Sequence, residues 1–332
     1  MKQNCAVLGC GSWGTAIAVL LARQEHDIYL YSRRKQQIKD IENNRVNSDY
    51  FPQVKLPESI YPTNNIKECI TNSRYIFIAV PTSATKTIAS QLNKYLCGNE
   101  IIISTAKGLD IKSFKTNSQI ISHYLSQPVA VLSGPTHAEE VIDSLPSAAV
   151  IACQNEKISQ ELQELISDDR FRIYINTDIK GVELGGALKN IIAVAAGISD
   201  GLGYGDNARA ALITRGIAEM SRLGEELGAN KLTFSGLTGL GDLVVTCNSE
   251  HSRNRTFGYK IGEGKSVNIA EKEVGQVVEG IKTAKAVYKQ KKQGNISTDM
   301  PITEAVYRVI YTDKEPLKAV DELMTRTPKD EI

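Results

Sequence analysis

Hydrophobic residues in the first half of the chain recur as short runs rich in Val, Ile and Leu, separated by stretches with helical spacing. Several runs lack polar alternation, which is typical of strands in a parallel sheet that helices cover on both faces. Strands that alternate with helices of this length indicate β-α-β units and a doubly wound α/β domain. The predicted strands are Cys5–Gly9, Ile28–Ser32, Tyr75–Val80, Glu100–Thr105, Val129–Ser133, Ala148–Cys153 and Arg172–Asn176. The predicted helices lie near residues 13–23, 35–43, 83–96, 113–125 and 156–167.

Beyond about residue 178 the strand-like runs give way to long segments with helical spacing. Between Ile213 and Leu227, apolar residues recur every three or four positions and mark one apolar face of a helix. Pro316 fits the first turn of a last helix that ends near Thr325. Three glycines within 236–241 predict a loop between helices. We therefore expect an α/β domain over residues 1–178 and an all-helical domain over residues 179–332.

Composition excludes several classes of protein. The 332 residues are enough for two domains, and 39 basic against 38 acidic side chains leave a net charge of +1. This balance argues against nucleic-acid partners and anionic membrane surfaces. The longest clean apolar run, Ile191–Ile198, falls far short of the ~20 residues of a membrane span, and no signal peptide is recognised. Six scattered cysteines without a Cys-x-x-Cys, and four histidines, predict reduced thiols in a cytoplasmic protein with no metal site.

A glycine-rich turn follows the first predicted strand. Gly9-Cys10-Gly11-Ser12-Trp13-Gly14 is a Gly-x-Gly-x-x-Gly that ends a strand and opens a helix. In such turns the first glycine permits the sharp bend, the second lets the backbone approach a pyrophosphate, and the third lets helix and strand pack closely. The helix N-terminus then offers free N–H groups to the phosphates. The turn predicts a Rossmann-type dinucleotide site.

The end of the second predicted strand favours one dinucleotide over the other. NAD-preferring sites usually place Asp or Glu there, whereas this chain has Tyr31-Ser32-Arg33-Arg34. Two guanidinium groups suit a 2′-phosphate, so NADP(H) is predicted as the preferred cofactor, with NAD(H) as the alternative cofactor. The alternative is that both arginines are merely solvated.

Five further segments bring chemically useful side chains to strand or helix ends. Lys107 follows a strand, and Ser133-Gly134-Pro135-Thr136-His137-Ala138 follows the next strand and opens a helix. Lys189, in Leu188-Lys189-Asn190, precedes an apolar helical face, where a charge needs a partner. An interhelical salt bridge or a lysine that reaches solvent is the alternative to a catalytic role. Asp242 is predicted in a glycine-lined loop, and the Ser252-Arg253-Asn254 run offers donors that suit a phosphate ester.

Together these motifs resemble the NAD(P)-dependent sn-glycerol-3-phosphate dehydrogenases of bacterial type. The resemblance covers nearly the whole chain, from Gly-Cys-Gly-Ser-Trp-Gly through Ser-Thr-Ala-Lys-Gly-Leu and Ser-Gly-Pro-Thr-His-Ala to Leu-Lys-Asn, Gly-Leu-Gly-Asp-Leu and Ser-Arg-Asn. It implies a Rossmann-type domain followed by an all-helical domain like that of 6-phosphogluconate dehydrogenases. It also implies interconversion of dihydroxyacetone phosphate and sn-glycerol 3-phosphate, supply of glycerol 3-phosphate for glycerophospholipid synthesis, and a homodimer.

The resemblance also assigns roles to individual positions. Lys189 corresponds to the catalytic acid/base, and Lys107 and Asp242 to its partners around the reacting oxygen of the substrate. The positions that match substrate contacts are Lys107, Gly134, Thr136, Lys189, Asp242, Ser252, Arg253 and Asn254. The positions that match cofactor contacts are Gly9, Gly11, Ser12, Trp13, Gly14, Arg33, Arg34, Tyr50, Lys107, Ala138, Arg253, Val277 and Glu279. Thr136 stands where many members have serine, and it keeps the hydroxyl.

Two other functions fit part of this pattern. A different β-hydroxyacid dehydrogenase, such as a 3-hydroxyisobutyrate or 6-phosphogluconate enzyme, shares the layout and a catalytic lysine but acts on a carboxylate substrate. A catalytically silent NADP(H)-binding protein would keep the glycine-rich turn and would need none of Lys107, Lys189, Asp242 or the Ser-Arg-Asn run. A P-loop kinase is excluded because no Gly-Lys-Ser/Thr follows the first glycine turn.

Overall fold

The structure is a computed structural model that describes residues 2–328 and 330. The chain forms two compact units. The first contains Met1–Lys107 and Lys115–Glu183, and the second contains Gly108–Phe114 and Leu184–Ile332. The chain therefore enters the second unit briefly, directly after Lys107, before it returns to complete the first. The predicted boundary between residues 178 and 179 stays a prediction.

An eight-stranded sheet forms the centre of the first unit, in the order β10-β9-β8-β7-β6-β1-β2-β5. The strands of the unit are β1 (Asn4–Leu8), β2 (Asp27–Tyr31), β3 (Val46–Asn47), β4 (Phe51–Lys55), β5 (Ile60–Thr63), β6 (Tyr75–Ile78), β7 (Ile101–Ser104), β8 (Val129–Ser133), β9 (Ser147–Ala152) and β10 (Phe171–Asn176). All seven predicted strands are confirmed within one or two residues. The sheet is not purely parallel, because β8 and β9 pair in antiparallel fashion. β3 and β4 form a separate antiparallel ribbon.

Helices cover both faces of this sheet, as the uninterrupted apolar strands require. The helices of the first unit are α1 (Ser12–Arg23), α2 (Lys35–Asn44), α3 (Ile66–Ile70), α4 (Thr82–Leu92), α5 (Asn117–Tyr124), α6 (Ala138–Ile142) and α7 (Glu156–Ile166). One apolar cluster packs α1, α6 and α7 against the sheet, and a second packs α3, α4 and α5 against its other face. The predicted α/β Rossmann-type architecture is confirmed.

All regular elements of the second unit, within its described residues, are helical. Its elements are the greater part of α8 (Ile179–Gly201), α9 (Asp206–Glu226), a 3₁₀ turn (Lys231–Ser235), a π-helical turn (Leu237–Gly241), α10 (Asp242–Asn248), α11 (Arg253–Gly262), α12 (Val267–Val274), α13 (Glu279–Lys292), α14 (Pro301–Tyr311) and α15 (Pro316–Met324). The helix predicted between Ile213 and Leu227 forms part of α9, and Pro316 begins the last helix as predicted.

Two features of this unit differ from the sequence-based expectation. The glycines near position 240 lie in a tight π-helical turn that continues into α10, so the predicted loop is wrong there. Helix α8 is long and apolar enough, by length and composition, to cross a membrane. However, 94% of its apolar window is buried inside the protein, as in the core helix of a soluble protein.

Candidate active site

The glycine-rich turn makes the sharp bend that its sequence predicts. Gly9 has a φ of +122°, a region that favours glycine, and a Cβ there would collide with the backbone of Ala79 at the end of β6. A Cβ on Gly14 would collide with the carbonyl of Gly9. These two glycines are therefore needed by the fold itself.

Gly11 is different, because a Cβ there would meet nothing within 4 Å. Gly11 is also the N-cap of α1 and provides no side-chain cap, so the first N–H groups of the helix, at Ser12 and Trp13, lack a capping side chain. Open space beside a helix N-terminus fits the pyrophosphate of a dinucleotide. The residues present thus match the cofactor that the motif predicts.

The arginines after β2 lie on the same unit and are both exposed. The Arg34 guanidinium forms an ion pair of 2.9 Å with Asp49, and its central carbon lies 5.7 Å from the centre of the Tyr50 ring. The structure thus brings together Arg34 and Tyr50, two of the predicted cofactor contacts. Asp49 was not predicted, and its charge partly offsets that of Arg34.

Three predicted substrate contacts meet at the carboxyl ends of β7 and β8. The Lys107 Nζ donates a hydrogen bond of 2.7 Å to the Gly134 carbonyl, and the Thr136 hydroxyl donates one of 3.2 Å to the same oxygen. Gly134 has a φ of +145°, and a Cβ there would lie 2.9 Å from the Ala149 Cα on β9. Ala138, which is one of the predicted cofactor contacts, is the buried first residue of α6.

In the second unit, Lys189 and Asp242 form a buried ion pair between α8 and α10. Their side chains are only 7% and 2% exposed. Lys189 also donates a hydrogen bond of 2.6 Å to the Thr246 hydroxyl, one helical turn after Asp242. The pair is the interhelical salt bridge that the sequence offered as an alternative, so the acid/base role of Lys189 stays a prediction. The sequence predicted Asp242 in a flexible loop, and this is wrong. Asp242 is the buried first residue of α10.

Thr246 was missed by sequence reasoning, although its spacing of four from Asp242 places both on one face of a helix. Burial raises the pKa of the neighbouring Cys247 to about 12. That thiol therefore stays protonated and is no candidate nucleophile.

The predicted phosphate-holding run opens α11. Ser252 is buried, and its hydroxyl oxygen caps the helix by accepting a 3.2 Å hydrogen bond from the Arg255 N–H. Asn254 donates a 3.0 Å hydrogen bond to the Asn190 side chain on α8 and accepts one of 2.9 Å from the Gly280 N–H. The structure thus joins the Leu-Lys-Asn and Ser-Arg-Asn motifs through their two asparagines. Asn190 was not among the predicted site residues.

The remaining predicted contacts lie around the start of α13. Arg253 is exposed and donates a 3.3 Å hydrogen bond to the Gln276 side chain. Val277 is 38% exposed, and Glu279 is the first residue of α13. Among the described residues, no group of three or more His, Cys, Asp or Glu side chains is arranged to hold a metal ion.

Family models match both parts of the chain. The model of the NAD-dependent glycerol-3-phosphate dehydrogenase N-terminus matches residues 4–159, and that of its C-terminus matches residues 178–321. The chain belongs to this dehydrogenase family. The predicted resemblance is thereby confirmed.

Individual members of the glycerol-3-phosphate dehydrogenase family match over the full length. A glycerol-3-phosphate dehydrogenase [NAD(P)+] of Halothermothrix orenii is 52% identical, covering 100% of this chain and 97% of that protein. One from Thermoanaerobacter sp. is 49% identical, with 99% of each chain covered. The crystal structure of the glycerol-3-phosphate dehydrogenase from Coxiella burnetii is 39% identical, with a TM-score of 0.94 over 98% of this chain and 99% of that one.

Proposed function

We propose that this protein interconverts dihydroxyacetone phosphate and sn-glycerol 3-phosphate with NAD(P)H as the hydride source. Family membership supports the reaction, and the buried Lys189 ammonium is the observation that carries the mechanism. A buried ion pair seldom stabilises a fold, because the free energy lost by desolvating both charges can exceed the free energy gained from their attraction. A lysine ammonium at a buried position on α8 therefore favours a chemical role over a structural one.

The first unit supplies the dinucleotide site. Gly11, Ser12 and Trp13 would hold the pyrophosphate at the start of α1. Arg33 and Arg34 would hold a 2′-phosphate, which supports NADP(H) as the preferred cofactor and leaves NAD(H) usable. A bound nicotinamide supplies the hydride that the reaction transfers to C2 of the ketone.

Lys189 holds the proton that the substrate oxygen needs. As the hydride reaches C2, the carbonyl oxygen becomes an alkoxide, and the ammonium both stabilises this charge and transfers a proton to it. Asp242 and Thr246 accept hydrogen bonds from the ammonium and so fix its direction. In the oxidation direction the neutral amine accepts the same proton.

The phosphate group of the substrate is held away from the reacting carbon. Ser252, Arg253 and Asn254 at the start of α11 provide hydroxyl, guanidinium and amide donors for it. We also propose Lys107, Gly134 and Thr136 as substrate contacts, as the family resemblance implies. Binding energy from the phosphate can then be used to position the carbonyl for reaction.

Several further properties are part of the proposal. The domains would be residues 1–178 for the cofactor and residues 179–332 for substrate and catalysis. We propose a cytoplasmic homodimer whose product enters glycerophospholipid synthesis. Its ligands would be small molecules, without nucleic acid or stable membrane insertion.

Absorbance at the NADPH band, followed with dihydroxyacetone phosphate as substrate and with NADH in parallel, tests the proposal. Rapid turnover, faster with NADPH, is the expected result. Turnover of β-hydroxyacids and not of the triose phosphate would indicate a different dehydrogenase of this layout. NADPH binding without turnover of either substrate would indicate a silent binding protein.

A further inference from the structure

A buried chain of hydrogen bonds connects the glycine-rich turn to the loop that carries the two arginines. It consists of Cys10, Thr15, Ser32, Gln37 and Asn47, which we call the amide network. All five residues are buried, with at most 6% of any of them exposed. Buried polar groups in such a fully bonded network hold one another in a single arrangement.

The direction of each bond follows from its donor. The Ser32 hydroxyl donates a 2.7 Å hydrogen bond to the Gln37 Oε1. The Gln37 Nε2 therefore faces the other way, and it donates to the Cys10 carbonyl at 2.8 Å and to the Asn47 Oδ1 at 3.0 Å. Both amide hydrogens of Gln37 are thereby used.

Asn47 continues the network from the short strand β3. Its Nδ2 donates to the Thr15 hydroxyl oxygen at 2.8 Å and to the Cys10 carbonyl at 3.3 Å. The Cys10 carbonyl thus accepts hydrogen bonds from two side-chain amides, one for each of its lone pairs.

This carbonyl belongs to the same planar peptide group as the Gly11 N–H. In a trans peptide the two groups point in opposite directions. Two amides that hold the Cys10 carbonyl in the interior therefore aim the Gly11 N–H outward. Gly11 is the position at which an added Cβ would meet open space.

The other end of the network holds the arginine loop. The Ser32 hydroxyl oxygen accepts a 3.1 Å hydrogen bond from the backbone N–H of Arg34. The side chain that orients Gln37 thus also fixes the backbone from which the Arg34 guanidinium extends. One network sets the positions of both groups that would meet phosphates of the dinucleotide.

We propose that Gln37 and Asn47 are positioning residues for NADP(H), which act through the Gly11 N–H and the Arg34 backbone without touching the cofactor. This inference rests on the proposed binding of NAD(P)H. It predicts that loss of the network weakens dinucleotide binding while binding of dihydroxyacetone phosphate is unchanged.

Two substitutions of Gln37 test the inference. Gln37→Leu removes both donors, and Gln37→Glu keeps the size but sets a carboxylate oxygen against the Cys10 carbonyl. Gln163→Leu is a matched control, because the Gln163 Nε2 also donates to a backbone carbonyl, that of Ile173 at 2.7 Å, in the edge strand β10 of the same sheet. Asn47→Asp repeats the test at the second amide. The measurements are the Kd of NADPH by fluorescence titration, the thermal midpoint of unfolding, and the KM for dihydroxyacetone phosphate.

We expect the Gln37 and Asn47 variants to raise the Kd of NADPH roughly 10- to 100-fold, the effect of one misdirected hydrogen bond to a charged phosphate. The KM for dihydroxyacetone phosphate, measured at saturating NADPH, should stay near the wild-type value. Gln163→Leu should lower the thermal midpoint and leave the Kd unchanged. Wild-type Kd values in the Gln37 and Asn47 variants, with thermal midpoints lowered as in the control, would show a merely structural network. Failure of the wild-type protein to bind NADPH would overturn the proposed function together with this inference.

Discussion

The acid/base role of Lys189 can be separated from its part in the fold by removing its ion pair in two steps. Lys189→Met deletes the ammonium but keeps an unbranched side chain of similar length. The Asp242 carboxylate, only 2% exposed, then stays buried without its cationic partner. Breaking a buried pair in this way costs about 3–5 kcal/mol of unfolding free energy.

A second substitution, Asp242→Leu, removes the carboxylate that the first one leaves behind. Apolar residues that replace a whole buried ion pair are often neutral or stabilising by about 1–4 kcal/mol. We therefore expect the double variant to regain most of the lost unfolding free energy. The proton donor is still absent, so kcat should stay lower by about 10²–10⁴-fold, the usual contribution of general acid–base catalysis.

Urea unfolding measures the first quantity, and NADPH oxidation with dihydroxyacetone phosphate measures the second. The Kd of NADPH serves as a check and should be unaffected, because neither substitution touches the glycine-rich turn or Arg33 and Arg34. A double variant that regains both stability and nearly wild-type kcat would refute the reasoning. In that case the pair would be only an interhelical salt bridge.

Three further predictions concern other residues. Replacing both Arg33 and Arg34 by alanine should lower the ratio of kcat/KM for NADPH to that for NADH roughly tenfold or more, because hydrogen bonds to a charged phosphate are lost. An unchanged ratio would mean that both guanidinium groups are merely solvated. Gly134→Ala should cost about 1–3 kcal/mol of unfolding free energy and raise the KM for the substrate, because the backbone there has a φ of +145° and its carbonyl holds a lysine ammonium. For Glu226, desolvation is outweighed by hydrogen bonds from the Ser297 and Thr298 region, which lower its pKa to about 2. The ionised Glu226 carboxylate therefore stabilises the fold above its unfolded pKa near 4.5, and this stability is lost as the pH falls toward 2. Glu226→Gln should reduce the fall in thermal midpoint over that pH range. An equal fall in the variant and in the wild type would contradict this.

The local pattern of apolar residues was sufficient to predict those strands of the sheet that are apolar throughout and flanked by helices. It was insufficient for β5, because Ile60–Thr63 is short and contains Pro62, which is typical of an edge strand and easily taken for a loop. It also could not indicate that β9 runs antiparallel to β8. An apolar run indicates burial, whereas its direction in a sheet depends on the path of the connecting chain.

The site shows the same division between local signals and packing. The glycine-rich turn was predicted correctly because its three glycines lie within six consecutive residues, directly between a strand and a helix. The glycines before Asp242 were misread as a loop, since a glycine that permits a turn and one that permits close packing look alike in sequence. A Cβ on Gly239 would collide with the backbone of Phe234, and one on Gly185 would lie 2.6 Å from the Thr238 carbonyl. Packing of the π-helical turn against its neighbours is what places Asp242 in the core.

Glycines also determine how α8, which carries the Leu-Lys-Asn motif, and α11, which the Ser-Arg-Asn run opens, lie against each other. Along α8, a Cβ on Gly197 or Gly201 would collide with the backbone of α11, and along α11 a Cβ on Gly258 or Gly262 would collide with the backbone of α8. Contact between two backbones leaves no flexible side chain to adjust the spacing. Lys189 on α8 and the Ser-Arg-Asn run on α11 are therefore held at a separation that the helices themselves define. Rigid elements of this kind give the sub-ångström placement that a proton donor and a phosphate-holding group need to act on one small substrate.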